Sequence, residues 1–184
     1  KKLSSLVVQP NLEIDRFKIK QVCNTSVLGV EIDDKLSWNK RIDKVAKKVA
    51  SGIEALRKIR DFVHQQTLIS VYHALINPHF DYCSEVWDTM GVSLSNRLQK
   101  LENRGARVIM NFSNDIPGPE AIKALGWEKL ETRRTKSKAK TMYKILNKSA
   151  PSSLVKLFKY KNSHSTTSGA PLPRCNYHNQ KLKS

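Results

Sequence analysis

The spacing of apolar positions changes at about residue 38, and the change divides the chain. Before it, apolar residues come in short runs. Leu6-Val7-Val8 ends at Pro10, Phe17, Ile19 and Val22 are loosely spaced, and Val27-Leu28-Gly29-Val30-Glu31-Ile32 is rich in β-branched residues. Such runs predict strands, with Asp33-Asp34 as the turn that closes the last of them. A few short strands do not make a stable sheet alone, so the edge of a larger sheet is expected.

Beyond Trp38 the period is helical. Ile42, Val45, Val49, Ile53, Leu56, Ile59 and Val63 form one apolar stripe, with Ser37 or Asn39 as its N-cap. Between them lie Lys40, Arg41, Lys44, Lys47, Lys48, Arg57, Lys58 and Arg60, opposed only by Asp43 and Glu54. A second helix is predicted from Gln65 to Asn77, with Leu68, Val71, Tyr72, Leu75 and Ile76 inward and Pro78 as its stop. The aromatic stretch from Pro78 to Trp87 is expected to be buried, as another helix. Ser93 caps a third helix carrying Leu94, Leu98, Leu101, Val108, Ile109 and Phe112. Ile116-Pro117-Gly118-Pro119 breaks it, and Pro119-Glu120 opens a short helix to Leu125. A basic helix follows Gly126-Trp127 and ends near Asn147. Ser149 caps a last short helix with Leu154, Leu157 and Phe158, and Pro151 sits in its first turn. From Asn162 onward Ser, Thr, Gly, Pro and Asn dominate, which predicts a disordered tail. The expected class is mainly α: strands over 1–34, a helical domain over 35–160, and a basic low-complexity tail over 161–184.

Charge adds a partner to this outline. The 184 residues carry a formal net charge of +17, and after Glu131 there is no acid at all. Arg133, Arg134, Lys136, Lys138 and Lys140 open that acid-free stretch. So one-sided an excess points to a phosphate backbone, whose neutralisation releases counterions. An anionic membrane surface, met through Lys136 to Lys148, is the rival for the same charge. No apolar run approaches the roughly 20 residues of a membrane span, and no signal peptide opens the chain. Cys23, Cys83 and Cys175 are far apart and odd in number, as expected of reduced thiols in an intracellular protein.

Catalytic patterns are missing. There is no glycine-rich phosphate loop, no G-x-S-x-G and no H-E-x-x-H, and the lone Cys175–His178 pair, three apart, does not make a four-ligand metal site. Asp33-Asp34 is an adjacent acid pair, but its place after a strand makes it a turn. Trp38, Trp87 and Trp127 read as core residues, not as base-stacking platforms.

The succession of short motifs resembles the part of non-LTR (LINE-type, jockey-like) retrotransposon reverse transcriptases that follows the palm. Ser26-Val27-Leu28-Gly29-Val30-Glu31-Ile32-Asp33 and Leu36-Ser37-Trp38 are similar to that family's K-Y-L-G-V-x-I-D and L-x-W. Leu56-Arg57-Lys58-Ile59-Arg60, Tyr72-His73-Ala74-Leu75-Ile76-Asn77-Pro78-His79, Asp81-Tyr82-Cys83 and Val86-Trp87 follow in the family's order. So do Leu98-Gln99-Lys100-Leu101-Glu102-Asn103-Arg104, Leu125-Gly126-Trp127-Glu128-Lys129-Leu130, Arg133-Arg134 and Met142-Tyr143-Lys144-Ile145-Leu146-Asn147. The likeness covers about residues 1 to 160. It departs at Val27, where the family has an aromatic, and at Arg41, where it has a histidine.

What the resemblance implies is a primer grip at Leu28, Gly29 and Val30, followed by a helical thumb that tracks an RNA template–DNA primer duplex. A glycine in such a strand lets backbone approach a nucleic-acid strand closely. Lys40, Arg41, Lys44, Lys47, Lys48, Arg133, Arg134, Lys136, Lys138 and Lys140 would then meet the nucleic-acid backbone. Lys1 or Lys2 would correspond to the family's palm lysine. The family's Y/F-A-D-D loop, whose carboxylates hold two catalytic Mg²⁺ ions, is not in this sequence. It would belong to an upstream palm and fingers of the same polyprotein, so no cofactor and no activity are expected of this chain alone. A nuclear location is implied for an active element. The contrasting expectation is a non-catalytic helical structural or interaction protein derived from a decayed transposon.

Overall fold

The computed structural model describes residues 12–113, 115–160 and 173–175. The expectations for Lys1, Lys2 and Leu6-Val7-Val8, and for most of the tail over 161–184, lie outside the described residues. The fold is mainly α, with 63 % helix against 9 % strand. Contacts divide the chain into two compact units, Lys1–Leu130 and Glu131–Ser184.

The first unit opens with two antiparallel hairpins. β1 (Glu13–Ile14) pairs with β2 (Phe17–Lys18), and β3 (Asn24–Val27) with β4 (Val30–Asp33), in register from Asn24↔Asp33 to Val27↔Val30. Among the described residues of this unit, each ladder has two strands only. Apolar residues in and between the hairpins stay exposed, Ile14, Phe17, Ile19 and Val22 among them, while Val30 turns into the core.

Helix α1 (Asn39–Ile59) buries the predicted stripe of Ile42, Val45, Val49, Ile53 and Leu56. Its start differs from expectation. The N-cap position falls on Trp38, in left-handed backbone and without a side-chain cap, and not on Ser37 or Asn39. Asp33 organises the entry instead. Its carboxylate accepts the N–H groups of Lys35 (3.1 Å), Ser37 (3.0 Å) and Trp38 (3.0 Å), together with the Ser37 hydroxyl (3.1 Å). The Ser37 N–H above all holds the Asp33 carboxyl below the usual carboxylate range. The adjacent acid pair is thus a turn, and its first member is the clasp that points the chain into α1.

Pro78 does not stop the second helix. α2 (Gln65–Val71) widens into a π-helical turn over Tyr72–Ile76, and α3 (Asn77–Asp81) continues through the proline. A proline lacks an N–H and crowds the carbonyl four residues back, and the wider turn relieves both problems. The Asn77 N–H donates to the Tyr72 carbonyl, five residues back. The same widening puts Leu75 outside, at 65 % exposure, where a regular helix placed it inward. Around this turn two neighbouring helices come close through glycine. A Cβ on Gly52 would meet the Ile76 side chain at 2.7 Å, and one on Gly105 would meet the Tyr72 ring at 2.7 Å.

Helix α4 (Ser84–Trp87) carries the fully buried Trp87. α5 (Val92–Met110) starts after Gly91, so Ser93 lies inside it and is not its cap. It stops at Asn111, whose left-handed backbone returns the Phe112 N–H to the Arg107 carbonyl at 3.0 Å. α6 (Gly118–Ala124) ends the same way at Gly126, where the Trp127 N–H reaches the Ile122 carbonyl at 3.0 Å. Trp127 then stacks on Tyr72 with ring centroids 4.6 Å apart, as a core residue.

The second unit follows the start of α7 (Leu130–Leu146). α7 ends at left-handed Lys148, with the Ser149 N–H on the Lys144 carbonyl at 2.8 Å. The short α8 (Ser152–Val155) has Pro151, not Ser149, at its N-cap. Phe158 belongs to a strand, β5 (Phe158–Tyr160), paired antiparallel with β6 (Pro173–Cys175).

Candidate nucleic-acid interface

Val27 and Val30 face each other across the second hairpin, which leaves Leu28-Gly29 as a two-residue turn. Both turn residues have positive φ, 49° at Leu28 and 78° at Gly29. That is the signature of a type I′ turn, which matches the twist of its strands and favours Asn-Gly. Leucine at the first position is strained, because its Cβ crowds the backbone in the left-handed region. Its side chain is also 84 % exposed, so packing does not account for it.

The tip is pinned from below. The Tyr82 hydroxyl donates to the Leu28 carbonyl at 2.7 Å, and Arg41 Nη1 donates to the Gly29 carbonyl at 3.3 Å. Arg41 Nη2 reaches the Tyr82 carbonyl at 3.2 Å, which also accepts from Trp87 Nε1 at 2.9 Å. The guanidinium lies 5.8 Å from the Tyr82 ring centre and 5.7 Å from that of Trp87. Arg41 is only 6 % exposed, and burial works against its charge. Its place is therefore beneath the hairpin, holding Leu28-Gly29 in position, and not on a solvent-facing surface. Val30 is core, so Leu28 and Gly29 alone present the tip.

Lys40, Lys44, Lys47 and Lys48 are all exposed, and their three- and four-residue spacing keeps them on the outer side of α1. They are not equivalent. Lys44 Nζ is 2.8 Å from Glu31 on β4, and this bond, with a second from Asn24, lowers the Glu31 pKa. Lys48 lies close enough to His79 to help lower that histidine's pKa, after desolvation. On α7, Lys136, Lys138 and Lys140 are exposed, Arg133 is half-buried and Arg134 is buried at 4 %.

A second cationic feature escaped the sequence reading. Arg97, Lys100, Arg104 and Arg107 recur at intervals of three and four along α5 and so share a face. Lys100, Arg104 and Arg107, with Arg57 and Arg60 of the α1 end, line a cavity of about 660 Å³. The spacing was visible in the sequence, but the apolar stripe of the same helix dominated its reading.

Among the described residues no three His, Cys, Asp or Glu side chains gather as a metal site, and no helix is long and apolar enough to cross a membrane. No family model matches the chain, and neither curated proteins nor solved structures yield a match.

Proposed function

We propose that this chain holds an RNA template–DNA primer duplex, as the grip and thumb portion of an RNA-directed DNA polymerase of the non-LTR retrotransposon kind. The observation that carries this reading is the Leu28-Gly29 tip: strained, exposed, and fixed by Tyr82 and Arg41 beside a lysine-rich helix face. Strained backbone held by surrounding structure clusters at sites of ligand contact. The exposed apolar residues of both hairpins also suit a sheet edge that further chain covers in the complete polymerase. Catalysis is assigned to carboxylates that this sequence does not contain.

Fluorescence anisotropy with a labelled RNA–DNA hybrid tests the reading. Affinity should fall steeply with salt. Lys40→Glu with Lys48→Glu should weaken binding at least tenfold and lower the salt slope by about two. Salt-insensitive binding, or none by folded protein, overturns the reading. An unchanged affinity in the double variant, with its circular dichroism intact, favours a structural protein whose charge serves solubility. Primer extension with Mg²⁺ and deoxynucleotides should be absent.

A further inference from the structure

We propose that the seam between α1 and α5 is a binding groove for a single polynucleotide strand, sharing only Lys47 with the lysine face of α1 and independent of the duplex reading. Two cavities follow one another along this seam. The first, about 660 Å³, is lined by Arg57, Arg60, Arg107 and Phe112, and the second, about 410 Å³, by Lys47, Arg97 and the small Ala46 and Ala50. Lys100 and Arg104 line both, so the two are parts of one elongated depression.

Its charge is unbalanced. Three acids serve it, and each is already engaged: Asp43 with Arg97, Glu54 with Arg57 and Arg104, and Asp61 with Arg60. Lys100 and Arg107 make no ion pair among the described residues, and Arg107 spends only its Nε on the Ile116 carbonyl at 3.1 Å. Seven cations thus face three acids, an excess that a chain of anions can offset. Guanidinium forks match phosphate oxygens in pairs, and four of the cations nearest Phe112 are arginines.

Shape selects the form of the anion. Packed helices lie about 8–10 Å apart. A depression along their seam is too narrow to take in a duplex, whose two strands stand on either side of a major groove about 12 Å wide. A single strand fits, with phosphates along the cationic walls and a base against half-buried Phe112, the combination of charged groove and aromatic platform that single strands use. The groove runs from Ala46, about 8 Å along α1 from Arg41, to Arg57, about 24 Å from it, so a strand at the Arg57 end leaves the hairpin tip clear.

The test measures anisotropy of a short labelled oligoribonucleotide and, in parallel, of a blunt RNA–DNA hybrid. Arg57→Glu with Lys100→Glu should weaken single-strand binding at least tenfold and lower its salt slope by about two, while hybrid affinity stays within about twofold. Lys123→Glu with Lys129→Glu, an equal charge change on exposed residues outside the groove, should alter neither. Phe112→Leu should weaken the oligonucleotide about fivefold and leave inorganic polyphosphate unaffected. If the glutamate pair unfolds the protein, Arg57→Gln with Lys100→Gln should give the same pattern at smaller size. Equal losses for strand and hybrid, no loss, or displacement of the strand by polyglutamate as readily as by unlabelled RNA overturns the proposal. No hybrid binding by the parent protein, with strand binding present and lost in the groove variants, overturns the duplex reading and leaves this one standing.

Discussion

The two hairpins of the first unit turn alike and stand differently. Asp15 and Arg16 have φ of 50° and 69°, Leu28 and Gly29 of 49° and 78°, so each loop has both central residues left-handed. In the first, every strand residue is exposed, with Phe17 at 79 %, and among the described residues no helix side chain hydrogen-bonds to the turn carbonyls. In the second, Val30 is buried and both turn carbonyls accept hydrogen bonds from side chains far along the chain. Turn geometry fixes a local shape in both. Only the buried guanidinium of Arg41 and the phenol of Tyr82 fix a location in space, and a surface that must meet a ligand needs both.

Arg41→Met breaks that difference most severely. It keeps an unbranched stem and removes the guanidinium donors, leaving the Gly29 carbonyl without its arginine and the Tyr82 carbonyl with one bond fewer. Urea denaturation should show a loss of about 2–4 kcal/mol, in the range for breaking a buried charged hydrogen-bond set. Arg16→Ala, at the matching tip of the first hairpin, should stay within about 0.5 kcal/mol. Similar costs at the two sites would mean that the anchor is not energetically distinct.

Arg41 also marks the limit of what the sequence discloses. Periodicity found the buried face of α1 because core burial follows the 3.6-residue repeat, and Val45, Val49, Ile53 and Leu56 obey it. The same reading took Arg41 for a solvent-facing cation, since an arginine two residues into a basic helix looks like its neighbours. What buries it is a carbonyl pair from Gly29 and Tyr82, and pairing across such separations leaves no local pattern. Pro78 misled for a related reason. Propensity says that proline ends a helix, and only the wide turn beginning at Tyr72 shows how it was accommodated. The Leu28-Gly29 turn was missed: Val27 to Ile32 read as one strand, and the structure breaks it at Gly29 into a hairpin. Leucine at a left-handed position is a state that tertiary contacts impose against local preference.

Leu28→Asn addresses that imposed strain. Asparagine-glycine is the preferred pair for this turn, and a non-glycine left-handed residue costs about 1–2 kcal/mol. The substitution should therefore stabilise the fold by about 1 kcal/mol in the same denaturation measurement. Affinity for the RNA–DNA hybrid should fall at the same time, because the exposed apolar side chain at the tip is lost. Stability gained against binding lost is what a strained contact residue gives. Asp15→Asn with Arg16→Gly, the corresponding change in the unanchored hairpin, should leave hybrid affinity where it was. If Leu28→Asn binds as well as the parent, the tip is not part of the interface.

The smallest effect concerns protons. His79 on α3 is held below the ordinary histidine pKa, first by desolvation and then by the positive charges of Lys48 and Arg41. The folded state therefore binds fewer protons than the unfolded state in the window below about pH 6.5. Stability then rises with pH across that window and is lost on acidification, since protonating His79 places a third positive charge near Arg41. His79→Gln should flatten the part of the stability profile between about pH 7 and pH 5. The acid limb set by Asp33 should survive, because that carboxyl is held low and titrates well below this range. Hydrogen exchange of the hairpin amides sharpens the comparison. Lowering the pH through the window should reduce the protection of Val30 and Ile32, which belong to the hairpin anchored by Arg41, more than that of Ile14 and Phe17, which no buried charge supports. Equal loss in both hairpins would mean that the proton acts on the whole fold and not through the anchor.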